Sequence, residues 1–403
     1  MNTPRFARGI LPLSADPVTY GHLDLIKRAL EFCTELVVLV CQNDAKRGSY
    51  LFSLAERTAL MERAVAFCQI PNVIVRASNS LLVDEMLVHG CDAIIRGIRD
   101  ARDREEEERQ MRYHGLIRPS AIENVVYIEA SDAWLEVSST MVKAFVRHDI
   151  DVSAWTPSFV QVALEERLCQ RFRVGMTGGI ATGKTWVCRA LADELRGRGY
   201  PVTTISFDQL IRELYSENSV GAQRVRDELA RLCGDDVLTD DRQHVDRKLL
   251  AERLFAESTS AELRAQTQAL TEPHVTRLFR TALHDVHGLV IIEWAQLAEM
   301  TMGATVHHQS VVVDMDADER RQNLSERGID DAKMARMTRL QWPAERKAQM
   351  LAEAARGAGG GFVLQYRNTR SLPETSADHI RLLADELIRH LPASIRPSTG
   401  GAS

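Results

Sequence analysis

The chain has 403 residues, of which 45% are hydrophobic and 26% are charged, and its formal net charge is -6. This composition is ordinary for soluble globular protein, and the length is sufficient for two domains. The weak negative charge gives no reason to expect nucleic acid or an acidic membrane surface as a partner. The seven cysteines include no C-x-x-C pair. Neither a basic-plus-apolar leader nor an apolar run of the ~20 residues that span a membrane is found, so we expect a reduced, cytoplasmic protein.

Short apolar runs in the first half of the chain alternate with segments of helical spacing. The runs predict buried strands over residues 7–13, 35–42, 72–78, 92–98 and 124–130. This alternation predicts a parallel sheet with helices on both faces. Two closing helices, broken at Pro157, complete a predicted first domain of residues 1–169.

The same alternation begins again near residue 170, without a linker rich in Pro, Gly or Ser. It predicts strands over residues 172–178, 201–207, 288–295, 309–316 and 359–366. A closing helix ends the predicted second domain at residue 392, and the composition of "PASIRPSTGGAS" predicts a disordered tail over 393–403. The fold class is therefore α/β, in two domains.

The segment "GGIATGKT" fits the phosphate-binding pattern G-x-x-x-x-G-K-[ST], between a predicted strand and a predicted helix. Its glycines let backbone N–H groups point at a phosphate, and the helix N-terminus adds positive potential. Lys184 would bridge the β- and γ-phosphates, while the Thr185 hydroxyl would hold Mg²⁺ brought with ATP. The motif predicts nucleotide binding.

Asp208 lies where the next predicted strand ends, in "SFDQLIREL". At this edge of the sheet a carboxylate can accept the proton of an attacking hydroxyl or bind the metal through water. The residue can also serve as a helix N-cap, and the two roles are compatible.

Four segments of the second half, in order and spacing, resemble dephospho-CoA kinase over residues 173–390. They are "VGMTGGIATGKT", "FDQLIREL", "CGDDVLTDDRQHVDRKLLAERLF" and "SERGIDDAKMARMTRLQW". The resemblance implies a P-loop kinase sheet with a helical lid, in an enzyme that phosphorylates the ribose 3′-hydroxyl of dephospho-CoA with ATP. The chain departs from the family at Glu272, where a histidine is usual, and around Trp294 in "EWAQLAE".

The resemblance also implies roles for individual side chains of the second half. Asp208 would be the catalytic base, and Arg212 would contact substrate or phosphate nearby. Arg247 falls in the substrate-binding helix, and Arg327 of the lid would reach the transferring phosphate. In the family, a segment D-x-x-I-x-N lies on the adenine side of ATP. The corresponding segment here is "FVLQYRN", in which only Asn368 matches that pattern.

"TYGH" in the first half, Thr19 to His22, is a variant of the H-x-G-H signature of nucleotidyltransferases. Gly21 permits close approach of backbone to a triphosphate at a helix N-terminus. His22 can donate a hydrogen bond to the α-phosphate as negative charge moves toward pyrophosphate. A cap or surface histidine is the alternative at this position.

Further phosphate-binding groups are expected at the carboxyl ends of the first-half strands, where open α/β sheets bind ligands. Lys46 follows the second strand, and "IIRGIRD" places Arg96 and Arg99 after the fourth. The run Ser138 to Thr140 supplies hydroxyl and N–H groups at a helix N-terminus. A capping box is the alternative for that run.

In order and spacing these motifs resemble phosphopantetheine adenylyltransferase over residues 6–168, which implies a Rossmann-like nucleotidyltransferase sheet. The resemblance implies that Ser14 and His22 contact the reacting phosphates and that Lys46 binds the phosphates of both substrates. Arg96 would bind the pantetheine phosphate, and Arg99 the ATP phosphates.

The same resemblance places Leu82 along the pantetheine arm and Glu107 at the ribose or adenine of ATP. Leu13 and Ala15 depart from the family pattern P-G-T-F-D-P. Leu13 replaces a glycine, and Ala15 removes an aromatic ring.

The two resemblances name consecutive steps, because the first family makes dephospho-CoA and the second consumes it. The leading hypothesis is a bifunctional enzyme that converts 4′-phosphopantetheine and ATP to CoA, with Mg²⁺ as the metal and small molecules as partners. An adenylyltransferase–kinase pair for another acceptor, such as a nicotinamide nucleotide, is an alternative. Another is that one half is a weakly active regulatory module. A homo-oligomer is possible.

The candidate site residues fall into three groups. Those expected to act on the reacting phosphates are His22, Lys46, Arg96, Lys184, Asp208 and Arg327. Those expected to bind ATP are Ser14, Thr19, Gly21, Arg99, Glu107, Ser138, Ser139, Thr140, Gly178, Gly179, Ile180, Ala181, Thr182, Gly183, Thr185 and Asn368. Those expected to bind the acceptor are Ser14, Lys46, Leu82, Arg96, Arg212 and Arg247.

Overall fold

The computed structural model describes residues 4–42, 48–254, 260–326, 328, 341–369 and 373–397. It divides into two compact units, Met1–Arg147 with Asp151–Arg167, and His148–Ile150 with Leu168–Ser403. Each unit is built on a five-stranded sheet in which every pair of neighbouring strands is parallel. The predicted fold class is confirmed. Within the described ranges, no helix is both long and apolar enough to cross a membrane.

The sheet of the first unit has the strand order β3-β2-β1-β4-β5. Its strands are β1 Phe6–Leu13, β2 Cys33–Cys41, β3 Val73–Ser78, β4 Ala93–Ile98 and β5 Val125–Glu129. The chain leaves β1 toward β2 on one side and returns to β4 on the other. The carboxyl ends of β1 and β4 therefore form a switch point, where α/β sheets open a ligand crevice.

Helices cover the first sheet. They are α1 Tyr20–Ala29, α2 Leu54–Phe67, α3 Leu82–His89, α4 Ala101–Ile117, α5 Ser139–Arg147 and α6 Ser158–Cys169. Apolar residues of α3 and α4, among them Leu82, Met86 and Met111, pack with strand residues such as Ile10 and Ile94. Burial of these side chains holds both helices over the sheet.

The sheet of the second unit has the order β10-β9-β6-β8-β7, with a switch point at the central strand β6. Its strands are β6 Arg171–Gly178, β7 Val202–Ser206, β8 Gly288–Glu293, β9 Gln309–Met315 and β10 Phe362–Asn368. Every residue of β6 is buried, as expected for a central strand covered on both faces. The loop "GGIATGKT" begins at the end of this strand.

The described helices of the second unit cover both faces of its sheet and extend into a helical region after β7. They are α7 Lys184–Gly197, α8 Phe207–Ser216, α9 Val220–Cys233, α10 Arg247–Leu254, α11 Ala261–Leu283, α12 Ala317–Glu326, α13 Ala344–Gly357 and α14 Pro373–His390.

Three sequence predictions need correction. Arg96 lies within β4, not after it, because the strand continues to Ile98. The break between the two closing helices of the first half extends from His148 to Pro157 and is not confined to the proline. The disorder predicted from residue 393 is wrong at its start, since Ala393–Ile395 forms a short 3-10 helix and Ile395 is buried.

Candidate active sites

A cavity of about 880 Å³ opens at the carboxyl ends of β1 and β4 in the first unit. Its volume is in the range of small-molecule sites. The predicted site residues that line it are Ser14, Thr19, Gly21, His22, Leu82, Arg96, Arg99, Glu107, Ser138, Ser139 and Thr140. Leu13 and Ala15, the two departures from the family pattern, line it as well. Lys46 lies outside the described residues.

His22 is held at the N-terminus of α1 by Thr19, the buried N-cap residue. The Thr19 backbone N–H donates to His22 Nδ1 at 3.0 Å, and Thr19 Oγ1 lies 2.9 Å from the same nitrogen. Because Nδ1 accepts a hydrogen bond, the neutral ring carries its proton on Nε2. The histidine is thereby prepared to donate a hydrogen bond from Nε2.

Asp16 fixes the turn that follows β1. Its buried carboxylate accepts hydrogen bonds from the backbone N–H groups of Leu51 and Phe52, both at 3.0 Å, and from Lys143 Nζ at 2.8 Å. Ser139 Oγ donates to the Pro17 carbonyl at 2.7 Å. Asp16 therefore holds the backbone of this turn in place, whereas its neighbours Ser14 and Ala15 line the cavity.

Ser138 and Ser139 both make local hydrogen bonds at the start of α5. Ser138 Oγ accepts from the Met141 backbone N–H at 3.1 Å, which is the capping arrangement of a helix N-terminus. With the Ser139–Pro17 bond, both hydroxyls have a structural use, and both residues also face the cavity. The two interpretations of this serine run are compatible.

Arg96 and Glu107, which the resemblance assigns to different substrates, form an ion pair with each other. Arg96 Nη2 also donates to Gln110 Oε1 at 3.2 Å. Both charged side chains are largely buried, so the pair holds the guanidinium firmly in the cavity wall. Arg99 is half exposed, and its Nε lies 3.6 Å from Asp103 Oδ2, a weak surface pair.

One face of α4 lines the cavity, and sequence reasoning recognised only Glu107 on it. Asp103, Gln110 and His114 also line the wall. Burial lowers the pKa of His114, and the positive charge of Arg96 lowers it further. The spacing 103, 107, 110 and 114 is that of a single helix face, which is the signal that could have found these residues.

In the second unit, the loop "GGIATGKT" connects β6 to α7 and is held from within. Gly178 has φ of +155°, and a Cβ there would lie 2.2 Å from the Val313 carbonyl oxygen. Lys184 Nζ donates to the Gly179 carbonyl at 2.7 Å, and Thr182 Oγ1 donates to the same carbonyl at 2.9 Å. The loop therefore requires glycine at its first position and has a defined shape without nucleotide.

Two asparagines support the same loop from outside. Asn368 Nδ2 donates to the Thr182 carbonyl at 2.9 Å, and Asn323 Nδ2 donates to the Ala181 carbonyl at 3.0 Å. Asn368 is at the end of β10 and is buried. A Cβ on Gly183, where φ is +80°, would lie 2.3 Å from Asn368 Nδ2. Asn323 was missed by sequence reasoning, because a contact between α12 and the loop depends on the fold.

Lys184 is a half-buried ammonium near Glu293, Asp208 and Lys347. Burial lowers its pKa to about 8, and the positive charge of Lys347 acts in the same direction, while Glu293 and Asp208 oppose it. Thr185 Oγ1 donates to Glu293 Oε1 at 2.6 Å. Glu293, the last residue of β8, is a second functional candidate that sequence reasoning missed, although its position at a strand end was visible.

Asp208 lies in the first turn of α8, exposed, and Arg212 is exposed one turn later. The preceding Phe207 stacks on Trp294 with ring centroids 3.8 Å apart and planes at 4°. The buried Trp294, one of the departures from the family pattern, therefore packs against Phe207, which directly precedes Asp208. Arg247 begins α10 and is exposed.

Glu299 forms an ion pair with Lys347, which is fully buried. Lys347 Nζ donates to both Glu299 oxygens, at 2.6 and 2.7 Å, and to the Ala295 carbonyl at 2.6 Å. The Trp342 backbone N–H donates to Glu299 Oε1 at 3.0 Å. Glu272 is exposed on α11. Arg327 lies outside the described residues.

Comparison with protein families matches residues 13–145 to a cytidylyltransferase-like model. The first half is 37% identical over 161 residues to the phosphopantetheine adenylyltransferase of Staphylococcus carnosus, covering 40% of this chain and 96% of that protein. It is 38% identical over 152 residues to that of Actinobacillus pleuropneumoniae serotype 7, covering 38% of this chain and 92% of that protein. Through its first half, the chain belongs to the phosphopantetheine adenylyltransferase family.

The second half matches the dephospho-CoA kinase family model over residues 172–355, a range that includes the phosphate loop and Asp208. Among solved structures, the chain is similar to TT1252 from Thermus thermophilus, with 26% identity and a TM-score of 0.41, over 55% of this chain and 100% of that one. The chain therefore joins a phosphopantetheine adenylyltransferase unit to a dephospho-CoA kinase unit. Both families are enzymes, and both imply the use of ATP.

Proposed function

We propose that the chain carries out two consecutive reactions of coenzyme A biosynthesis. The first unit transfers the adenylyl group of ATP to 4′-phosphopantetheine and releases pyrophosphate and dephospho-CoA. The second unit transfers the γ-phosphoryl group of another ATP to the ribose 3′-hydroxyl and releases ADP and CoA. The observation that carries this proposal is a cavity at the strand ends of the first unit and a G-x-x-x-x-G-K-[ST] loop in the second, in families whose product and substrate are the same compound.

Adenylyl transfer at the first site needs positioning and charge neutralisation, with no covalent intermediate on the protein. An oxygen of the 4′-phosphate attacks the α-phosphorus of ATP in line, and pyrophosphate leaves. His22 donates from Nε2 to the α-phosphate as charge moves to the leaving group, because Thr19 occupies Nδ1. Arg96 binds the acceptor phosphate, held in place by Glu107 and Gln110.

The remaining side chains of the first cavity divide between the two substrates. Arg99, at the open side, and the Ser138 to Thr140 run bind the triphosphate. Leu82, at the start of α3, contacts the pantetheine arm through its apolar side chain. Lys46 is proposed to bridge the phosphates of both substrates, as the family resemblance implies.

At the second site, the loop from Gly178 to Thr185 binds the phosphates of ATP through backbone N–H groups and the α7 N-terminus. Lys184 bonds the β- and γ-phosphates in place of the Gly179 carbonyl. Asp208 accepts the proton of the ribose 3′-hydroxyl as that oxygen attacks. Arg212, Arg247 and Arg327 are proposed to bind the acceptor or the transferring phosphate, as the resemblance implies.

Mg²⁺ fits the residues beside Lys184. The oxygens of Thr185 and Glu293 lie 2.6 Å apart at the α7 N-terminus, and hydroxyl and carboxylate oxygens are ligands that Mg²⁺ prefers. When bound, the ion would neutralise phosphate charge. Within the described residues, no group of three or more His, Cys, Asp and Glu is suited to a metal, so phosphates and water would supply its other ligands.

Product identification tests the proposed function. Purified protein is incubated with 4′-phosphopantetheine, ATP and Mg²⁺, and the products are followed by mass spectrometry. Dephospho-CoA should appear first and CoA second, with pyrophosphate and ADP released in the same order. If neither adenylylated product forms while the protein is folded, the proposal is wrong.

A further inference from the structure

The turn after β1 contains a strained residue in the wall of the first cavity. Ala15 has φ of +44°, in the left-handed region, and it is 2% exposed. Residues other than glycine are unfavourable in this region, and they adopt it where the surrounding structure imposes the conformation. Ser14, the adjacent residue, is the one expected to contact the reacting phosphates. The question is which groups impose this backbone.

Arg57, on α2, holds the backbone on the amino side of the turn. Its guanidinium Nη1 donates to the Ser14 carbonyl at 2.5 Å and to the Cys41 carbonyl at 2.9 Å. A single nitrogen thus connects the ends of β1 and β2. Because Arg57 is only 1% exposed, these carbonyls replace water in solvating its charge.

Tyr50 contacts both partners of this hydrogen bond. Its ring lies under the Arg57 guanidinium at 4.1 Å, and its hydroxyl donates to Ser14 Oγ at 3.4 Å. Ser14 is therefore held at its carbonyl by Arg57 and at its hydroxyl by Tyr50. The two bonds fix both the peptide and the rotamer of the residue.

The arrangement is costly if its only purpose is stability. Within the described part of the chain, Arg57 Nε is buried without a hydrogen-bond partner, and burying a charge costs desolvation free energy. Burying a charge at this point does, however, bring positive potential close to a phosphate site. Burial raises the pKa of Cys41, which lines the cavity, and the positive charges of Arg96 and, to a smaller extent, Arg57 oppose this shift.

We infer that Arg57 and Tyr50 are positioning residues for adenylyl transfer, which together fix Ser14 for contact with the reacting phosphates. The inference rests on the proposed function of this cavity. It predicts that their loss lowers kcat of the first reaction and changes KM for 4′-phosphopantetheine no more than Ser14→Ala does, because the groups act through Ser14 and do not themselves contact the acceptor.

A double-mutant cycle between Tyr50 and Ser14 tests the inference. Tyr50→Phe removes one hydroxyl and should lower kcat of adenylyl transfer about 3- to 10-fold. In a Ser14→Ala background the same change should have less than a two-fold effect, since the group it holds is gone. Equal effects in both backgrounds, or an unchanged kcat in the single variant, would overturn the inference.

Arg57 is tested by a graded pair with a matched control. Arg57→Met should lower kcat at least about 10-fold, and Arg57→Lys should recover part of this loss. Arg63→Met removes another α2 arginine that lies over an aromatic ring, that of Phe159 at 4.1 Å, and should leave kcat unchanged. If the lysine variant is no better than methionine, or Arg63→Met has the same effect, the guanidinium does not position Ser14.

Two features of the assay separate the possible failures. Phosphorylation of supplied dephospho-CoA, measured on every variant, reports on the second unit and should not change. Wild-type protein that forms no dephospho-CoA contradicts the proposed function itself, whereas active wild type with unaffected variants contradicts only the positioning role. If Arg57→Met does not fold, the Tyr50–Ser14 cycle decides.

Discussion

The two proposed phosphate sites of this chain are built in opposite ways. In the second unit, one stretch from Gly178 to Thr185 would supply the phosphate cradle through its own backbone, its lysine and a helix N-terminus. In the first unit, the site is assembled from the turn after β1, the start of α1, strand β4, one face of α4 and the start of α5. Phosphate chemistry of similar kind can therefore rest on one contiguous loop or on side chains gathered by the fold.

The source of backbone strain also differs between the two sites. The second site has glycine at two of its positive-φ positions, Gly178 and Gly183, where a Cβ would collide with neighbouring atoms, and alanine at a third, Ala181, whose φ is +60°. The first site places Ala15 in such a conformation and surrounds it with Arg57, Asp16 and their partners. Both sites therefore depend on side chains from other elements, the second on Asn323 and Asn368 and the first on Arg57 and Asp16, and they differ in how many of their positive-φ positions are glycine.

The largest effect is expected from Lys184→Ala, which removes the single cation at the centre of the contiguous loop. Phosphorylation of dephospho-CoA should fall about 1,000-fold, since a charged group aimed at the transferring phosphate is lost. Adenylyl transfer should continue, so dephospho-CoA accumulates in a coupled assay. Loss of both reactions would show that the two sites are not independent.

His22→Ala should affect only the dispersed site. Adenylyl transfer should fall about 100-fold, because one donor to the reacting phosphates is lost while several cationic groups stay in place. Steady-state kinetics of each reaction measures this, with dephospho-CoA supplied for the second. Phosphorylation should be unchanged. A loss of less than about five-fold in adenylyl transfer would mean that His22 is a cap residue and not a phosphate contact.

Glycine substitutions compare the backbone requirements of the two sites. Gly178→Ala should lower the free energy of unfolding of the second unit by about 2 kcal/mol and abolish tight ATP binding there, because its Cβ would meet a backbone carbonyl. Gly197→Ala, at the end of α7 where an added Cβ would meet no described neighbour within 4 Å, is the control in the same unit. Thermal unfolding and nucleotide binding distinguish the variants.

In the first unit, Gly21→Ala should fold normally. Its added Cβ would make ordinary contacts, the nearest 3.5 Å from Trp134 Cβ. Any loss of adenylyl transfer would then come from the nucleotide and not from the fold. A marked fall in thermal stability of this variant would contradict the described packing around the helix start.

The smallest effect is the uptake of protons when ATP binds. The pKa of Lys184 is lowered from 10.5 to about 8 in the free protein, and phosphate oxygens should raise it again. At pH 8 ATP binding to the second site should therefore take up about half a proton, and at pH 6.5 almost none through this group. Calorimetry in two buffers of different ionisation enthalpy measures the uptake.

Lys184→Arg is the control for this measurement, because arginine does not titrate in the range. The sign for stability follows from the same shift. The lowered pKa costs folding free energy while the lysine is protonated, so the cost is full below about pH 8 and disappears as pH rises through 10.5. Equal proton uptake by wild type and Lys184→Arg would contradict the assignment to this residue.

The strands were predictable because each is a short apolar run between polar segments. Central strands such as β6 are buried on both faces and therefore contain little polar sequence. The phosphate loop was predictable for a related reason, since all its functional groups lie within eight consecutive residues. Strand order could not be predicted in the same way, because the apolar runs contain no information on which strands are neighbours in the sheet.

The parts of the sites that sequence reasoning missed depend on that order. Glu293 ends a recognisable strand, yet its closeness to Thr185 follows from β8 lying beside β6. In the sequence, Arg57 is indistinguishable from other arginines of a surface helix. Its role depends on the packing of α2 against the ends of β1 and β2. The pairing of Arg96 with Glu107 likewise needs the packing of α4 beside β4.

The most direct test follows the α- and γ-phosphorus atoms of ATP into the products, in two parallel samples. The wild-type chain is given 4′-phosphopantetheine and ATP labelled at the α-phosphorus in one sample and at the γ-phosphorus in another. If both units are active, the α label enters dephospho-CoA first and is kept in CoA, whereas the γ label leaves with pyrophosphate in the first reaction and enters CoA at the 3′-phosphate in the second. CoA without the α label, or a γ label in dephospho-CoA, would contradict the claim that this chain carries an adenylyltransferase and a kinase.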